Sequence, residues 1–164
     1  MKGRKSLPIW AQLAADMTAD PPIRANAMYY LAKASLEKQD LRRVFAYAQE
    51  ALSLLLQTKG DKDKIKDAIL MTVFATEHSG RWEEALKWAG EYDKYIPDSD
   101  PEWPSMRYRL AEIYRKAGSR EQWRKMMEEI RDKKADSLYG RMAASALETY
   151  ALERKAQEYA PGPN

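Results

Sequence analysis

Few residues in this 164-residue chain have the chemistry of a catalyst or a metal ligand. His78 is the single histidine, and cysteine is absent. Together these facts exclude a histidine metal cluster, a thiolate zinc site, a Cys–His dyad and any disulfide. Serine, histidine and aspartate are all present, but no G-x-S-x-G nucleophile elbow accompanies them. There is no P-loop and no G-x-G-x-x-G. His78 precedes Ser79-Gly80, a helix-ending pair, where a partly positive imidazole suits the negative end of a helix dipole. The run Asp98-x-Asp100-x-Glu102 alternates oxygen ligands as calcium loops do. A calcium loop begun at Asp98 needs glycine at its sixth place and glutamate at its last. This chain has Trp103 and Arg109 there. Asp100-Pro101-Glu102 therefore reads as a helix start, with acids favoured by the macrodipole. The segment GDKDKIK, beginning at Gly60, lacks the second glycine and the Lys-Ser/Thr pair of a phosphate loop. It reads as a solvated turn with Asp61 capping the next helix. The chain is expected to be no enzyme and to hold no metal or cofactor.

What remains is binding, and the elements that would position a binding surface are helices. Hydrophobic residues make up 45% and charged residues 32%, with a net charge of +3. That balance suits one soluble globular domain and is too apolar for disorder. Alanine occurs 24 times, against 14 for valine, isoleucine and threonine together, which favours helix over sheet. Pro8 and Pro21-Pro22 open apolar-periodic stretches, while Gly60, Gly80 and Gly118 close them. Between these marks the pattern predicts eight helices, at about 7–18, 21–37, 41–57, 62–78, 82–95, 102–117, 119–133 and 137–158. Thr18-x-Asp20 and Ser137 are expected N-caps. The short connections imply antiparallel hairpins.

Three of these hairpins align on their turns. Ala32, Val73 and Ala111 share one small-residue position, spaced by 41 and 38 residues. Ala51, Tyr92 and Ile130 share a second position with the same spacings. A near-constant period of helical pairs indicates an α-solenoid. The pattern resembles the tetratricopeptide repeat family, whose consensus has small residues at helix crossings and often a proline at the repeat's end. Ala85-x-x-x-Ala89 with Pro97 matches best. Leu31-Ala32, Val44, Ala48 and Ala51 match in the first repeat, and Leu110-Ala111, Tyr114 and Gly118 in the third. The period exceeds the family's, Thr72-Val73 replaces a large-then-small pair, and Trp123 replaces a small residue. A HEAT-like assignment has a compatible period but lacks the end-of-repeat proline. A shorter segment, DSLYGRMAASALETY, is similar to helical scaffolds of bacterial cell-envelope proteins. The expected fold is an all-α, α-α superhelix of about eight antiparallel helices. It forms a single domain over 1–160, with repeats at about 25–58, 66–97 and 104–135 and flanking helices at 7–18 and 137–158.

The tetratricopeptide resemblance implies a protein–protein interaction scaffold that captures a peptide or partner helix in a concave groove. On the family register the groove-facing residues include Tyr29, Lys33, Leu70, Phe74, Glu77, Tyr108 and Arg115. The competing reading has the 137–158 helix fold back over this stripe. The family's carboxylate clamp is not implied, because its positions carry Tyr29, Met71 and Ser105. Trp10, Trp82, Trp88, Trp103 and Trp123 are expected as core wedges. One alternative function is a non-catalytic helical segment of a larger bacterial envelope protein or enzyme. Another is nucleic-acid binding through the basic run from Arg107 to Lys134, but acids interleave there and imply i,i+4 pairs such as Glu121–Lys125. The expected partner is thus a protein or peptide, a second copy included, and no nucleic acid. No apolar run approaches the ~20 residues of a membrane span. The basic start MKGRKSLPIW has no apolar stretch of leader length. That places the chain in the cytoplasm or, as part of a longer exported chain, in the periplasm or cell envelope.

Overall fold

The computed structural model describes residues 7–160 and 162. Among these it contains eight α-helices and no strand. They are α1 (Leu7–Ala15), α2 (Pro21–Glu37), α3 (Leu41–Gln57), α4 (Lys62–His78), α5 (Trp82–Tyr95), α6 (Trp103–Lys116), α7 (Arg120–Lys133) and α8 (Leu138–Tyr159). Seven of the eight spans coincide with the sequence pattern or lie within one residue of it at both ends, and α1 stops three residues early. No helix here is long and apolar enough to cross a membrane. The chain divides into two compact units, Met1–Ile96 and Pro97–Asn164.

Hairpins form because four helices end in the same reversal. After α2, α3, α4 and α6 the second residue past the helix adopts a left-handed conformation: Gln39, Lys59, Gly80 and Gly118. Each time the following amide reaches back five residues to a helix carbonyl, as in Asp40 to Ser35, Gly60 to Leu55, Arg81 to Thr76 and Ser119 to Tyr114. This is the Schellman arrangement, which satisfies the last carbonyls and turns the chain back. Gly60 departs from expectation. Lys59 takes the left-handed place, and a Cβ at Gly60 would lie 2.8 Å from Leu55 Cδ2, which must shift to admit it. Gln39 and Lys59 thus carry a strain that glycine relieves. Gln39→Gly should raise the unfolding free energy by about 0.5–1 kcal/mol. Denaturant titration checks this, and a loss of stability would contradict the left-handed assignment.

The caps explain where helices begin. Asp61 accepts from the amides of Asp63 and Lys64, and Ser137 accepts from Gly140, as expected. Asp40 caps α3 through the amide of Arg43. Thr18-x-Asp20 differs. Asp20 holds the N-cap position without a side-chain bond, because the two prolines at the start of α2 leave fewer amides to satisfy. Thr18 instead bonds Asp16.

In the first unit, α2 packs on α1 and α3, α4 on α2 and α3, and α5 on α4. The small residues sit at these crossings: Ala32, Val44, Ala48 and Ala51 form one cluster with Tyr29, Met71 and Ala75. Ala14, Ala27 and Leu31 form another, with Trp10 and Leu13 against it. The Thr72-Val73 departure is harmless, since the buried hydroxyls of Thr72 and Thr76 donate to the carbonyls of Ala68 and Thr72 one turn back. In the second unit α6 and α8 both pack on α7 and touch each other. Leu110, Ala111, Ile113, Met126, Met127, Ile130 and Ala143 are buried there. Trp103 and Trp123 are core, as expected, whereas Trp10, Trp82 and Trp88 are half-buried.

Candidate functional site

Each unit presents a face built from first helices of hairpins. In the first unit this face belongs to α2 and α4, which are joined by two bonds. Lys64 Nζ donates to Asn26 Oδ1 at 2.7 Å, and the Tyr29 hydroxyl donates to Asp67 Oδ2 at 2.6 Å. Both pairs span 38 residues, close to the repeat period, so each joins one repeat to the next.

Tyr29 is the predicted groove residue whose surroundings differ most from expectation. It is only 5% exposed and sits in the cluster between α2, α3 and α4. Asp67 takes its hydroxyl, so the ring serves as packing and its edge as a tie. Burial, and then the bond to Asp67, push its pKa up, so the hydroxyl stays protonated. Lys33 is exposed, with its ammonium 5.4 Å from the Tyr29 ring centre. Leu70, Phe74 and Glu77 on α4 are half-buried. His78 is exposed, stacks on Phe74 at 4.0 Å, and places Nδ1 3.0 Å from the Phe74 carbonyl. That is a helix-end contact. The sequence reading missed Tyr30, which stacks on Trp10 at 4.7 Å with Lys64 Nζ 5.6 Å from its ring. Its signal was weak, because Tyr30 falls one residue off the groove register.

In the second unit, Tyr108 and Arg115 of α6 line a cleft of about 350 Å³, together with Glu112, Trp123 and Tyr150. Glu112 organises the cleft. One carboxylate oxygen accepts from the Trp123 indole N–H at 3.2 Å and the other from Arg115. Trp123 meets Tyr150 of α8 edge to face at 5.2 Å. Tyr108 stands 5.8 Å from Tyr139 of α8, and burial followed by Glu112 raises its pKa. Helix α8 thus forms one wall of the cleft. Tyr139 and Tyr150 are the residues here that sequence reasoning did not place. Their spacing of three helical turns on one face was the available signal.

The charged motifs resolve into ion pairs. Asp98 pairs with Lys133 at 3.0 Å, and Asp100 accepts from the Glu102 amide at 2.8 Å. Among the described residues no group of carboxylates and histidine could hold a metal ion. The basic run is laced with acids: Arg107 pairs with Glu129, Arg124 with Glu121 and Glu128, and Arg131 with Asp132. Glu121 pairs with Arg124 in place of the anticipated Lys125, because arginine's fork reaches both flanking carboxylates.

No family model and no curated protein matches the chain. Solved structures do. One is of Podosopora anserina kinesin light chain with nearly identical TPR-like repeats, at TM-score 0.68 and 15% identity, covering 93% of this chain and 81% of that one. A Q17M variant of that protein matches at TM-score 0.69 and the same identity, covering 93% and 80%. At that identity the likeness concerns the fold alone. The chain has the all-helical fold of TPR-like repeat proteins.

Proposed function

We propose that the chain is a non-enzymatic interaction scaffold that binds a peptide or a partner helix on its first-helix faces. The observation that carries this reading is the cleft of the second unit. Three aromatic rings, Tyr108, Trp123 and Tyr150, stand beside Arg115 and Glu112. Tyr108 and Tyr150 are half-buried over the buried Trp123, and half-desolvated aromatics next to fixed charges are what peptide anchors require. The face of α2 and α4 adds a second surface, with Leu70, Phe74 and Glu77 half-buried and Lys33 exposed. Tyr29 contributes to that surface as its support. The reading of residues 1–160 as one repeat domain belongs to the same proposal.

The test uses a displayed random-peptide library selected on the whole chain, followed by calorimetry with the selected peptides. Tyr108→Ala or Phe74→Ala should weaken binding about tenfold, as loss of an anchor does. The melting temperature should move by less than about 3 °C, since both rings are only half-buried. Unchanged binding with a large fall in melting temperature would make these rings core. A library that yields no binder would sink the scaffold reading.

A further inference from the structure

Helix α8 has a second face. Its buried side carries Gly140 and Ala143, with Tyr139, Leu147 and Tyr150 half-buried. Turned away from these are Leu138 at 59% exposure, Met142 at 38%, and Leu152 at 67%, with Ser145 and Thr149 exposed between them. The stripe continues through Ala156 to Tyr159. The steps along it alternate between four and three residues, the spacing that keeps one seam of a helix facing another helix. From Leu138 to Leu152 the stripe runs about 21 Å at 1.5 Å per residue. Single exposed apolar residues are ordinary; here Leu138, Met142 and Leu152 share one seam, with only the small Ser145 and Thr149 between them.

The charges beside the seam point to what covers it. On one flank Arg141, Glu148 and Lys155 follow at seven-residue steps, alternating in sign. A second copy laid antiparallel, with the two-fold axis beside Ser145, sets Leu138 against the partner's Leu152. It sets Met142 against the partner's Thr149. Arg141 then lies level with the partner's Glu148, and the symmetry repeats every pair. Ser145 meets its own mate, and its small side chain permits close approach. Arg141 gives one N–H to the Asp136 carbonyl at 2.8 Å and has others to spare. A parallel arrangement lacks these matches. We infer that the outer seam of α8 is a two-fold self-association surface, used by a second copy of this chain and meeting the edge of the peptide-binding cleft at Thr149. One helix pair is smaller than a standard interface of about 1,600 Å², so the dimer forms only with rising concentration.

Sedimentation equilibrium of the whole chain, from about 10 µM to about 1 mM, should show a monomer–dimer equilibrium. Leu152→Glu should weaken it about tenfold or more with the thermal transition unchanged, because Leu152 is solvent-exposed. Arg141→Glu and Glu148→Arg should each weaken it, and the double exchange should restore it. Because the chain has no cysteine, Ser145→Cys offers a clean crosslink. It should form a disulfide dimer under mild oxidation far faster than Ser53→Cys on the exposed side of α3. A chain that stays monomeric throughout overturns the inference. So does a dimer indifferent to Leu152→Glu, a double exchange that fails to restore association, or equal crosslinking at the two sites.

Discussion

Replacing Gly140 with alanine is expected to cost about 3 kcal/mol or more. A Cβ built at Gly140 lies 1.8 Å from the Lys134 carbonyl oxygen and 2.6 Å from its carbon. These are backbone atoms and cannot swing aside as a long side chain would. The Lys134 carbonyl is held where it is, accepting from the Ser137 amide at 2.9 Å and the Ser137 hydroxyl at 2.7 Å. Ser137 in turn accepts from the Gly140 amide and so caps α8. A methyl group at this point must displace the connection, and with it the cap. Helix propensity argues the other way, since alanine in a helix is favoured over glycine by about 0.5–1 kcal/mol. Gly90, inside α5 with nothing near its missing Cβ, isolates that term. Gly90→Ala should therefore stabilise by about that amount while Gly140→Ala destabilises, both read by denaturant titration. If both substitutions stabilise, the close passage of the Lys134 carbonyl over α8 is wrong.

The helices were legible because punctuation and periodicity agree. Prolines open α2 and sit within the first turn of α6, glycines close α4 and α6, and small residues recur at the crossings. Where punctuation is missing the chain reveals less. Nothing in Gln39 announces a left-handed turn residue, and Gly60 drew attention away from Lys59. The close passage at Gly140 was invisible, because a glycine in a helix carries no mark of what lies against it.

The binding faces were less legible than the fold. A family register places a residue on a face but does not say how deep it sits. Tyr29 lies at the register position, yet a carboxylate 38 residues away, Asp67, draws its hydroxyl inward. Tyr108 and Arg115 do line an open cleft, but its other walls come from Trp123 and from Tyr150 on α8. Contacts of that kind depend on how consecutive helices stack, which one hairpin's pattern does not encode. Ion pairs behaved similarly. Glu121 and Lys125 have the right spacing, and the competition from Arg124 decides the partner.

Replacing Ala32 with leucine is expected to cost about 3 kcal/mol, the upper end for overpacking a closed core. Ala32 has no exposed surface and lies with Val44, Ala48 and Ala51 of α3 and Met71 and Ala75 of α4. Four of these six residues are alanines, so α2, α3 and α4 approach closely and leave no rotamer space for a larger side chain. Met71 is flexible and can yield at one edge, which keeps the cost from rising further. The sequence position that Ala32 shares with Val73 and Ala111 is fully or almost fully buried in all three helices. The limit is therefore a property of the repeat and not of one contact. Ala46, exposed on α3, supplies the comparison: Ala46→Leu should change stability by less than about 0.5 kcal/mol. Thermal melting should place Ala32→Leu about 6–12 °C below the parent chain, with the helical circular dichroism of the folded state preserved. An Ala32→Leu chain that melts with the parent would show that the α2–α3–α4 crossing is looser than this geometry. The repeat register built on it would then fail.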